Sequence, residues 1–132
     1  MVNIPMHVVL AFSSLPLFLG ALLSDWAYFT SRQIQWVNFA AWLIAGGLLI
    51  VGLALLWSVV DALRSPTRRH RPVLIYMGLL LITFVIGFIN ALIHAKDGWA
   101  AMPIGLILSF VIVVLAAITG VFGLSGSLRR SA

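Results

Sequence analysis

Four apolar runs, each long enough to cross a bilayer, constrain this chain more than any other feature. They cover about residues 4–29, 36–60, 73–94 and 99–124, and a bilayer core needs roughly 20 apolar residues per helix. Hydrocarbon offers no water to backbone amides, so each run must be helical or belong to a closed barrel. Barrel strands alternate apolar and polar residues. These runs are continuous, which selects helices. Composition agrees: 63% of the 132 residues are hydrophobic and 8% charged, with a mean hydropathy of +1.17. Soluble folds carry about 25% charged residues, so a soluble enzyme, a secreted disulfide scaffold and a disordered tail are excluded. With no Cys there is no thiolate nucleophile, iron–sulfur cluster or Cys-ligated zinc. The expected fold is an all-α integral membrane four-helix bundle forming one transmembrane domain over residues 1–132.

Lys and Arg near the span ends predict its direction. Arg64, Arg68, Arg69 and Arg71 lie between the second and third spans, and Arg129 and Arg130 follow the fourth. Only Arg32 and Lys96 fall on the other side. This asymmetry predicts an N-in/C-in topology. Trp26, Tyr28, Trp36 and Trp99 would then form the outer aromatic belt, and Trp57 and Tyr76 the inner one. The opening MVNIPMH lacks the positive region of a signal peptide, so the first helix is expected to stay in the mature protein. The net charge of +5 and pI near 11.3 do not point to nucleic acid, because no aromatic stacking platform accompanies the arginines. Their expected partners are anionic lipid headgroups, at about 1 kcal/mol per surface charge.

Helices in lipid associate through close packing and polar contacts rather than hydrophobic drive. Small residues four apart mark candidate packing faces: Gly20 with Ser24, Ala41 with Ala45, Gly105 with Ser109, and Ala116 with Gly120. Such pairs serve contacts within a bundle or between subunits. Pro16 removes a hydrogen bond to the Phe12 carbonyl; Ser13 and Ser14 are expected to help satisfy that turn. Pro103 is expected in the first turns of the fourth helix.

Ionisable residues inside a membrane are costly, so each suggests a function. Asp25 is expected near the outer end of the first span and Asp61 near the inner end of the second. The richest constellation lies at the outer end of the third span, where Asn90 and His94 share a helix face and Lys96 and Asp97 follow. Asp25 should lie at similar height. This polar outer cluster of Asp25, Asn90, His94 and Asp97 reads either as a small site for a metal, a proton or a polar cofactor group, or as a network tying helix ends together. Haem b needs axial ligands at matching depth. His7 with His70, or His94 with Met102, meets that condition, so His7 and His94 are the cofactor candidates. Neither a catalytic set nor a metal-ligand set is recognisable.

The segment INALIHAKDGWAAMPIGLILSFVIVVLAAITG resembles the last hairpin of a bacterial four-helix membrane family, domain of unknown function 2231. The matching positions are Asn90, Lys96, Asp97, Trp99, Gly105, Ser109, Thr119 and Gly120; Asp25 and Asp61 fall where relatives carry acids. The family's His-Pro and Phe-Pro motif is reduced here to His7, Phe12 and Pro16 at altered spacing. VFGLSGSLRR replaces the usual Gly-rich segment. Some relatives are fused to Rieske iron–sulfur domains, which implies a redox neighbourhood.

Together these readings lead to a multi-pass protein of a bacterial cytoplasmic (inner) or intracytoplasmic membrane. Its expected role is a non-catalytic accessory subunit beside other membrane-protein subunits that handle electrons. A haem- or quinone-binding redox module and a small transporter or proton pathway are the alternatives.

Overall fold

The computed structural model describes residues 4–68, 70–96 and 101–131. Arg69, Asp97 and Trp99 therefore lie outside the described residues, as do the side chains of Arg68 and Arg130. Among the described residues the chain forms four α-helices: α1 (Met6–Ser31), α2 (Ile34–Arg64), α3 (Arg71–His94) and α4 (Ile104–Ser131). All four are long and apolar enough to cross a membrane. The described residues contain no strand.

The helix ends shift from their expected positions for local reasons. Thr30 and Ser31 donate hydroxyl hydrogen bonds to the carbonyls of Trp26 and Ala27, which carries α1 beyond Phe29. Arg32 then turns left-handed (φ 60°), and its N–H closes the helix on the Tyr28 carbonyl at 2.6 Å. α2 runs on to Arg64 before Ser65 N–H caps it on Asp61 at 3.2 Å. α4 starts later than residue 99: Pro103 sits just before the helix, not in its first turns, and its carbonyl accepts from Ile107. α1 continues through Pro16. The hydroxyls of Ser13 and Ser14 bond to the carbonyls of Val9 and Ala11 rather than to Phe12. A serine hydroxyl in a helix reaches back three or four residues, and Phe12 is too near.

Around the bundle the neighbours are α1–α2, α2–α3, α3–α4 and α4–α1, so α1 and α3 face each other diagonally. On α1 the buried positions include His7, Ala11, Ser14, Phe18, Ala21, Asp25 and Tyr28; on α3 they are Tyr76, Leu80, Thr83, Gly87, Asn90 and His94. Steps of four and three alternate along both helices, the repeat of left-handed coiled-coil packing. Interior and exterior differ in size as well as in polarity. Ala, Ser, Thr and Gly dominate inside, whereas Trp42, Phe39, Phe88 and Phe110 are exposed.

Glycines on this inner face admit side chains from neighbouring helices. A Cβ on Gly47 would stand 2.5 Å from the Phe18 ring, and one on Gly87 2.6 Å from Leu48. Gly105, Ser109, Ala116, Gly120 and Ser24 lie buried within the bundle, with Gly20 half-buried beside Leu43. Ala41 and Ala45 do not share that placement. Ala41 is half-buried and Ala45 exposed, because the buried face of α2 runs through Val37, Ala40, Ile44, Gly47 and Val51. The aromatic belt also needs correction. Trp26, Trp36 and Trp57 are exposed, but Tyr28 and Tyr76 point into the core.

Candidate functional site

The densest polar cluster lies near the end of the bundle that carries the α1–α2 and α3–α4 connections, termed here the hairpin end. α1 brings Asp25, α3 brings Asn90 and His94 one turn apart, and α4 brings Ser109. Asp25 and Asn90 are fully buried, and His94 and Ser109 nearly so. Because α1 extends to Ser31, Asp25 lies about 9 Å from the helix end at 1.5 Å per residue, deeper than the sequence indicated.

Hydrogen-bond geometry fixes much of the protonation. His94 Nδ1 lies 2.9 Å from the carbonyl oxygen of Asn90, which only accepts, so Nδ1 carries a proton. His94 Nε2 lies 2.7 Å from Asp25 Oδ1. A second proton must occupy that gap, either as imidazolium facing carboxylate or as imidazole facing carboxylic acid. Both arrangements leave the pair with no net charge. Ser109 donates to the other carboxylate oxygen of Asp25. Its oxygen in turn accepts from Asn90 Nδ2 at 3.0 Å. The remaining atom, Asn90 Oδ1, is buried and accepts no hydrogen bond among the described residues.

Gly105 shapes this cluster as much as the polar groups do. A Cβ there would stand 2.9 Å from His94 Cε1, so the glycine leaves room for the imidazole while Ser109, one turn on, reaches Asp25. Three of the four expected cluster residues thus come together; Asp97 lies outside the described residues. Ser109 was legible only as a packing residue. Its place one turn from a glycine, at the level of Asn90, was the signal for a polar role.

Two further polar contacts cross the bundle. At the opposite end His7 Nδ1 lies 3.1 Å from the Tyr76 hydroxyl, and their rings tilt together at 5.3 Å. His7–Tyr76 and Asp25–His94 both join residues 69 apart, so α1 and α3 run parallel in one register. Midway, Thr83 and Thr119 approach to 3.3 Å. Each hydroxyl also faces its own helix carbonyl, Leu79 or Leu115. Two protons then serve three contacts, and the threonine–threonine link is the weak one. Tyr76, Thr83 and Asn90 stand seven residues apart, about 10.5 Å per step along the helix, with Phe18, Leu80 and Ile112 fully buried among them.

These contacts bear on the candidate haem ligands. Both ring nitrogens of His94 are engaged, so it has no free nitrogen for an iron shared with Met102. His7 is buried against Tyr76 while His70 is exposed on its link, so the two do not share one inward face. Among the described residues no three His, Cys, Asp or Glu side chains gather as a metal site.

A family model described as predicted membrane protein (DUF2231) matches residues 3–130. No curated protein and no solved structure matches the chain.

Proposed function

The chain belongs to the predicted membrane protein family DUF2231, and on that premise we propose that it is a non-catalytic accessory subunit of a larger membrane assembly, one that transfers electrons. The observation that carries this reading is the inward bonding of its richest polar set. Asp25, Ser109, Asn90 and His94 bond chiefly to one another across α1, α3 and α4. Such a network ties helices to one another, which supports a structural role over a catalytic one. The outward faces carry large apolar side chains, Trp42 at 80% exposure above all, suited to lipid or to another apolar helix. The link to electron transfer rests on the resemblance to relatives fused with iron–sulfur domains. A transport pathway is less well supported, since apolar layers at Phe18, Leu80 and Ile112 separate the polar ones.

The test is native purification in mild detergent with an absorption spectrum of the product. The expected result is a stoichiometric complex with other membrane subunits, whose colour stays with them when this chain is dissociated. Recovery as a free monomer from gently extracted native membranes would overturn the proposal. A Soret band that stays with the isolated chain would overturn it in favour of a redox module.

A further inference from the structure

We propose that the Asp25–His94–Ser109–Asn90 cluster binds one buried water molecule, which donates to Asn90 Oδ1. The proposal stands on local geometry and is independent of the accessory role.

Asn90 is fully buried, and its carbonyl oxygen accepts no hydrogen bond among the described residues. Leaving a buried acceptor unpaired forfeits its solvation without return. Rotating the amide by half a turn does not cure this. The single proton of Ser109 already goes to Asp25, so the serine oxygen is left to accept, and among the described residues the Asn90 NH2 is its donor. The carbonyl therefore keeps facing away from Ser109 and requires a donor from elsewhere. Water is the smallest such donor, and buried waters typically join otherwise unsatisfied groups of this kind.

Charge argues against a metal cation. The carboxylate of Asp25 is already balanced by the proton it shares with His94, so the cluster has no net negative charge to hold one.

The experiment is solid-state NMR on the full chain in lipid bilayers, with labelled Asn and His side chains and transfer measured from water protons. The expected result is a water cross-peak at the Asn90 carboxamide. Absence of the cross-peak in the folded protein overturns the proposal. Replacing sodium by choline should leave the Asn90 signal in place; a sodium-dependent shift would assign the site to a metal ion instead.

Discussion

Asp25 and His94 illustrate how an interaction within a bundle differs from the sum of its parts. Removing one partner of a buried pair leaves the other without its hydrogen bond and costs about 3–5 kcal/mol, whereas removing both leaves no such orphan. Asp25→Ala and His94→Ala should therefore each destabilise the bundle by about 3 kcal/mol, and the double variant by clearly less than their combined effect. Reversible unfolding in mixed micelles measures this; strict additivity would mean that the two side chains act separately. At this scale the sequence placed Asp25, Asn90 and His94 at one height, because span ends are readable from apolar runs. It did not identify which residue meets which. Ser109 sits in a small-residue motif common to packing faces, and the 69-residue separation of Asp25 and His94 carries no local trace.

The helices themselves were legible as spans, but their buried faces were not. In water an inward face is apolar and an outward face polar; here the outward face is apolar and the inward one mixes small apolar with polar residues, so the contrast that marks a face in water is lost. What remains is size and the seven-residue repeat, seen in Tyr76, Thr83 and Asn90 and in the small residues of α2. Ala41 and Ala45 show the ambiguity, having the right spacing on the wrong face. The same reasoning ranks two substitutions. Thr83→Val removes a hydroxyl whose cross-bundle contact is weak, and polar contacts between membrane helices average about 0.6 kcal/mol, so its cost should stay below about 1 kcal/mol. Gly47→Leu forces a side chain into the Phe18 ring and should cost about 1–3 kcal/mol or more, as overpacking does. Unfolding transitions of the two variants, compared in the same micelles, should preserve that order.

For the whole molecule, the charge asymmetry predicts that the terminal end faces the cytoplasm. The chain has no cysteine, so single introduced thiols report this directly. Gln33→Cys at the exposed α1–α2 turn should react with an impermeant maleimide in intact cells. Thr67→Cys in the exposed α2–α3 link should react only after permeabilisation; the reverse pattern would invert the topology. The two diagonal contacts also fix a dimension. Asp25 follows His7 by 18 residues, as His94 follows Tyr76, a rise of about 27 Å in each helix. α1 and α3 thus act as matched rulers pinned at both marks. One extra residue between the marks of either helix would turn its far contact by about 100° and break it. The pinned span is close to the roughly 30 Å of a hydrocarbon core, so in a thicker or thinner bilayer the lipid must bend to the protein, at fractions of a kcal/mol per Å.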